Sequence, residues 1–287
     1  MSNRLPNLDD KIYFIHIPKT GGTTLNAIID SQYDSKFIFS TVQSFIINPE
    51  SEYPLVPNKT QIRIVKGHFS FGYHHLFEEA FTYVTVLRNP VARVISDYNH
   101  ILNVPQHCLH NFVKQNNLSL DEYVSSGVWN SDNLQTRFLS GRHSEIAFAK
   151  CTKDYFELAK SNLNQYFSVV GITERFDETL LLLQRTFGWD DSCLLYEKKR
   201  VNSNRHSYTV SNETIELIEN YNSFDIELYE YAKSLFETRI SRLGVSTEIS
   251  NKVKAKRKIY NFKNTTIRAG RKIKNRVVSK IKRRVAI

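Results

Sequence analysis

KIYFIHIPKTGGTT, Lys11 to Thr24, sets an apolar run directly before a glycine-containing turn. The run Lys11 to Ile17 is rich in β-branched and aromatic residues and reads as a buried strand. TLNAIID, Thr24 to Asp30, has apolar residues at 25, 28 and 29, the spacing of a helix that leaves the turn. Between strand and helix, Lys19, Thr20, Gly21, Gly22, Thr23 and Thr24 make a cradle for an oxyanion. The glycines let backbone N–H groups approach the ligand, and the lysine and hydroxyls stand at the positive end of the helix. Taken alone, the same string also fits an ordinary tight turn. Because the lysine precedes the glycines, the loop is not the GxxxxGK[ST] loop of NTPases.

Outward from this unit the pattern repeats. A second strand is expected at Ile62 to Val65, ending in Lys66-Gly67-His68, and a third at Tyr83 to Leu87, ending in Arg88-Asn89-Pro90. Asn89 can cap a helix that begins at Pro90, with apolar residues at 91, 94, 95, 98 and 102. A fourth strand, Phe167 to Ile172, leads into a helix at Phe176 to Phe187, and residues 118–165 and 211–243 read as helical. Residues 40–60 and 99–117 are polar or proline-interrupted and read as excursions over the sheet. The fold class is therefore α/β, a P-loop-like central parallel sheet flanked by helices, with sites at the carboxyl ends of the strands.

Composition narrows the class. Residues 252–287 hold 15 Lys or Arg and no acid, which leaves 24 basic and 29 acidic residues in 1–251, a net charge of −5. The high pI belongs to the tail, and a whole-chain argument for nucleic-acid binding fails. The division expected is a body at 1–245 and a basic tail, amphipathic or disordered, at 246–287. In the tail, Ile273, Val277, Val278, Ile281 and Val285 recur at helical spacing, so it either lies on an anionic membrane, holds a polyanionic acceptor, or only solubilises the chain. Cys108, Cys151 and Cys193 are too few and scattered for a disulfide framework, and no apolar run is long enough to span a membrane. With no leader-like start, the placement expected is cytoplasmic, peripheral at the membrane if the tail binds there.

Arg88 and Ser96, eight residues apart across the start of a helix, can share one anion. Arg93 on the same helix reads as a solvated or ion-paired arginine. His16, inside the first strand, reads as a hydrogen-bonded core residue. His107, Cys108 and His110 lack a paired partner set for zinc, and His143 and His206 read as surface residues.

FIHIPKTGGTT (14–24), KGHFSF (66–71) and VLRNPVARVISDY (86–98) together resemble the sulfotransferase family that includes the heparan sulfate and chondroitin uronyl 2-O-sulfotransferases and bacterial relatives. DNLQTRFLSG (132–141) and VVGITERFDETLLLL (169–183) are similar to further segments, so the likeness runs from about 11 to 240. It implies 3′-phosphoadenylyl sulfate (PAPS) as donor, with Lys19, Thr20, Gly21, Gly22, Thr23 and Thr24 around the 5′-phosphosulfate and Arg88 and Ser96 on the 3′-phosphate. It also implies His68 as the base that takes the acceptor's proton, and Lys19 as the cation that steadies the leaving 3′-phospho-ADP. No metal is required by this scheme. The acceptor implied is a hydroxyl on a glycan or glycolipid, with a small-molecule alcohol left open.

The chain has Lys66-Gly67-His68 where the heparan-type 2-O enzymes have His-Gly-His. The first histidine's work then falls to Lys66, to His74 or His75, or to none. KKRVNSNRHS, Lys198 to Ser207, lies between an expected strand and a helix; Arg200, Ser203 and Arg205 there are either donor contacts or part of a solvated loop. The alternatives to a soluble, bacterial-type sulfotransferase are a P-loop-like ATP-dependent kinase and a polyanion- or membrane-binding protein acting through its tail.

Overall fold

The computed structural model describes residues 11–41, 59–77, 80–143, 145–197, 210–245, 249 and 251–261. Five strands, β1 (Lys11–Ile15), β2 (Ile38–Thr41), β3 (Ile64–Gly67), β4 (Phe81–Leu87) and β5 (Phe167–Ile172), form one sheet in the order β2-β3-β1-β4-β5. All four pairings are parallel. A parallel sheet covered on both faces needs apolar side chains on both, which is why β1 reads as an unbroken apolar run instead of an alternating one. Tyr13, Phe14 and Ile15 are all buried.

The chain crosses from β1 to β2 and β3 on one side and then to β4 and β5 on the other. This puts the topological switch at β1, where α/β sheets open a crevice beyond the strand ends. α1 (Gly22–Gln32) leaves the first loop and α2 (Pro90–Asn103) leaves the loop after β4, where Asn89 accepts from Ala92 N at 3.0 Å as its cap. α3 (His110–Gln115), α4 (Leu120–Ser125) and α8 (Asn212–Tyr221) gather with α2 around a second cluster that includes Val94, Ile101, Tyr123 and Ile218. α5 (Leu134–Ser140), α6 (Lys153–Tyr166), α7 (Phe176–Phe187) and α9 (Ser223–Arg242) complete the layers.

The expected α/β class, the four expected strands and the helix at 176–187 are present. β2 was not foreseen: IFST is short, and it is a strand because β3 offers it an edge. The strand expected just before residue 198 is absent: between α7 and residue 197 the described residues hold only Asp191–Leu194, a 3-10 turn closed by Asp190 accepting from Ser192 N at 2.8 Å. The excursion at 99–117 holds the end of α2 and all of α3.

Arg93, expected to be solvated or ion-paired, does not stand at the surface. It is wholly buried, donates to Asn130 O at 2.6 Å, and among the described residues has no hydrogen-bond partner for Nε or Nη1. Arg137 fixes the fold: it is fully buried, paired with Asp132, and bonded to the Ile146 and Ala147 carbonyls.

Asp225, fully buried on α9, accepts from Gln135 N at 3.0 Å, Thr136 N at 2.7 Å and Thr136 Oγ1 at 2.8 Å. It thus satisfies the first N–H groups of α5, which a helix cannot satisfy itself. Burial raises its pKa, opposed by Arg93 and these donors. Asp225→Ala strands three buried donors, and urea unfolding is expected to show a loss of about 3 kcal/mol, with Asp225→Asn, which keeps one acceptor oxygen, losing less.

Candidate active site

The loops after β1, β3, β4 and β5 are tied together by hydrogen bonds at one edge of the sheet. Arg88 Nη1 donates to Lys19 O at 3.0 Å. Thr173 Oγ1 lies 2.8 Å from Thr20 O and 2.9 Å from Leu87 O, so one hydroxyl serves the cradle and the end of β4. His68 Nδ1 lies 2.6 Å from His16 O.

The first loop turns through two left-handed residues, Lys19 at φ 71° and Gly21 at φ 87°. Gly21 caps α1, and Thr24 N and Leu25 N return to its carbonyl at 3.0 and 3.3 Å. Gly22 and Thr23 present the first N–H groups of α1, the natural anion donors of a helix start. Thr20 differs from the expectation in one respect: its hydroxyl is committed to Ile17 O at 2.9 Å, and only its backbone is left to face a ligand. Gly22 is required by packing, since a Cβ there would stand 1.9 Å from His16 Cδ2.

His16 is a buried residue, as expected, with Asn26 Nδ2 3.3 Å from its Nδ1. Its ring also lies against that of His68, with centroids 4.3 Å apart at 30°. A carbonyl only accepts, so the bond to His16 O puts a proton on His68 Nδ1 and leaves the Nε2 lone pair in the neutral ring. Burial pushes His68 below its ordinary pKa, against the His16 carbonyl and the Asp97 carboxylate. The ring is therefore neutral at pH 7, the form a general base needs.

The structure answers the question of the missing histidine for two of its candidates. Lys66 is buried, paired with Asp30 and bonded to Asn26 O at 3.3 Å, so its ammonium is directed into α1. His74 Nδ1 meets Tyr83 OH at 2.7 Å beside Phe71 and Tyr166, toward the amino ends of β4 and β5. Ser96 is half-buried two turns into α2, next to Asp97. Arg200, Ser203, Arg205 and Ile273 to Val285 lie outside the described residues.

Three further residues act near these loops: Asp97, which was not singled out, Gln135, seen only as part of the 132–141 segment, and His107, weighed only as a zinc ligand. Gln135, buried on α5, accepts from Arg88 N and donates to Arg88 O, both at 2.9 Å, and so clamps the peptide that aims the guanidinium. Asp97 accepts from Tyr123 OH at 3.1 Å and Asn130 Nδ2 at 3.2 Å, and its charge reaches His68 and His107. His107 accepts from Leu109 N at 3.2 Å, its ring lies 5.5 Å from that of His100, and burial chiefly, with the Lys19 ammonium, holds its pKa down. No local pattern marks them, because each acts across a loop or between helices. Among the described residues no three His, Cys, Asp or Glu side chains gather as a metal site.

A five-stranded parallel sheet flanked by helices, with a glycine turn after its switch strand, is consistent with the P-loop-like fold of a sulfotransferase. The chain belongs to the galactose-3-O-sulfotransferase family, whose sequence model matches residues 6–283. It is 25% identical to heparan-sulfate 6-O-sulfotransferase 1 of Homo sapiens over 80% of this chain and 66% of that protein. It is 27% identical to heparan-sulfate 6-O-sulfotransferase 2 of Gallus gallus over 91% of this chain and 75% of that protein. With galactose-3-O-sulfotransferase 3 of Mus musculus the identity is 28% over 56% of this chain and 39% of that protein. These relatives correct the cytoplasmic placement expected from the sequence, because such carbohydrate sulfotransferases are lumenal Golgi enzymes. Among the described residues no helix is long and apolar enough to cross a membrane.

The packing of residue 22 against residue 16 is open to test. Gly22→Ala is expected to cost about 2 kcal/mol by overpacking. Adding His16→Ala removes the clash, so the double variant should lose less in thermal unfolding than the two single losses combined.

Proposed function

We propose that this protein transfers the sulfonate of PAPS to a hydroxyl of a glycan or glycolipid, with His68 as general base. The observation that carries the reading is the neutral His68 ring, fixed by the His16 carbonyl beside the cradle that follows the same strand. Membership in a galactose-3-O-sulfotransferase family, and likeness to heparan-sulfate 6-O-sulfotransferases, support a sugar acceptor.

The cradle fits the donor's chemistry. Lys19, Gly21, Gly22, Thr23, Thr24 and the backbone of Thr20 would hold the 5′-phosphosulfate, and Arg88 with Ser96 the 3′-phosphate. When bound, the donor supplies an activated sulfonate on a phosphate leaving group. His68 Nε2 takes the proton of the acceptor hydroxyl as its oxygen bonds to sulfur. The bond from sulfur to the phosphate oxygen breaks, 3′,5′-ADP leaves, and the Lys19 ammonium balances the charge that grows on the leaving oxygen. The transferred group carries one negative charge, less than a phosphoryl, so fixed cations and N–H dipoles suffice in this scheme without a metal. The basic tail, 246–287, is assigned to an anionic surface, that of a membrane or of the acceptor itself.

Calorimetric titration with 3′,5′-ADP tests the donor site. Metal-independent binding is expected, weakened roughly tenfold or more in Lys19→Ala and Arg88→Ala. Preference for magnesium-ATP would instead favour a kinase and end this reading. With a small sugar acceptor, His68→Ala should retain 3′,5′-ADP binding and lose roughly a hundredfold or more in kcat. Since the base works deprotonated and its pKa lies below the ordinary 6.5, kcat/KM should be flat at neutral pH and fall only as pH drops below that value.

A further inference from the structure

The helix over residues 251–261 lies at the start of the basic tail, and one face of it is joined to the body. Val253 enters the main apolar core, and Arg257 and Asn261 follow at intervals of four on the same face. Asn261 Nδ2 donates to Tyr196 O at 3.3 Å. Arg257 Nη1 pairs with Asp177 Oδ1 and donates to Tyr196 OH at 2.8 Å, and its guanidinium lies 4.7 Å from the centre of the Tyr196 ring. Tyr196 OH in turn donates to Asp177 Oδ1 at 2.9 Å. Arg257, Tyr196 and Asp177 thus form a closed triangle, with side chains of Arg257 and Asp177 only 15% and 12% exposed. An enclosed pair of this kind, with the Tyr196 hydroxyl bonded to both members, holds its geometry better than a pair in water.

What the triangle holds is the back of the anion cradle. Asp177 is the second residue of α7, and the first, Phe176, packs edge-on against the Tyr196 ring with centroids 5.3 Å apart. On its other side Phe176 closes on Gly21: a Cβ built there would stand 3.5 Å from Phe176 Cε2 and 3.8 Å from Thr173 Cγ2. Thr173 is the residue that bonds the Thr20 carbonyl. Two adjacent residues of α7 therefore meet the triangle, and one of them, Phe176, also meets the turn that presents the N–H groups.

We infer that the C-terminal helix is a positioning element of the donor site, with Arg257 as its positioning residue, acting through Tyr196 and Phe176 on Gly21. The inference rests on the assignment of the cradle to the phosphosulfate of PAPS. It assigns to the beginning of a basic tail a part in donor affinity that is separate from any surface its outward lysines meet. Cradle N–H groups displaced by a fraction of an ångström lose much of their hold on an oxyanion, so the effect is read in the donor and not in the acceptor.

The test titrates the full-length protein and its variants with 3′,5′-ADP, alongside thermal unfolding and steady-state kinetics with a small sugar acceptor. Arg257→Ala and Tyr196→Phe are each expected to weaken 3′,5′-ADP binding roughly five- to tenfold and to raise KM for PAPS alike, with KM for the acceptor unmoved. The double variant should be no weaker than the worse single, since both open one triangle. Arg257→Lys, which keeps the charge opposite Asp177, should recover most of the affinity. Arg185→Ala, which removes a bond from the last turn of α7 to the Leu243 carbonyl, should lower the unfolding temperature without moving 3′,5′-ADP affinity. Should Arg257→Ala fail to fold, Tyr196→Phe and Arg257→Lys carry the comparison. Wild-type affinity in folded Arg257→Ala or Tyr196→Phe, or an equal loss in Arg185→Ala, overturns the inference and leaves the donor reading standing. Absence of 3′,5′-ADP binding by the wild type overturns both.

Discussion

The carboxylate of Asp225, enclosed by the protein, must find hydrogen-bond donors or take up a proton, and the donors it finds are the first N–H groups of α5. That bond fixes where α5 begins, and so where Gln135 stands. Gln135 grips both polar atoms of the Arg88 peptide, and Arg88 reaches the Lys19 carbonyl. A chain of neutral and charge-assisted bonds therefore runs from α9 to the anion cradle through residues that are 90, 47 and 69 positions apart. The parallel sheet supplies the edge on which the loops meet, and this chain sets how they meet.

Sequence reasoning reached the part of this arrangement that is local. β1, the cradle and α1 are contiguous, and each has a composition that follows from its position: apolar on both faces in the strand, glycine at the left-handed turn, helix-forming residues after it. The same holds for β4, the Asn89 cap and α2. What it did not reach depends on partners distant in sequence. The partner of Lys66 is Asp30, on the helix against which β3 packs, so nothing in Lys-Gly-His distinguishes a lysine facing the site from one facing α1. Arg93 looks like a surface residue by type and is enclosed, because α2 is covered on that face by the segments around Asn130 and Asp225. β2 is invisible for a related reason: four residues of mixed polarity become a strand only when an edge is already there.

The two histidines His16 and His68 show how one strand can serve structure and chemistry at once. The backbone carbonyl of His16 sets the tautomer of His68, and its ring supplies the surface on which His68 rests. The same ring fills the space above Gly22. Histidine at position 16 is thus shared between the proposed base and the proposed donor cradle. This explains how a residue just past the end of β1 can look like ordinary core in the sequence and still touch both His68 and the turn at Gly22.

That shared contact also bears on how the sequence can drift. Any side chain at position 22 collides with the imidazole at 16, and loss of that imidazole withdraws the platform beneath His68. A side chain at position 22 therefore fits only if position 16 changes with it, so the two positions are tied to each other by space alone.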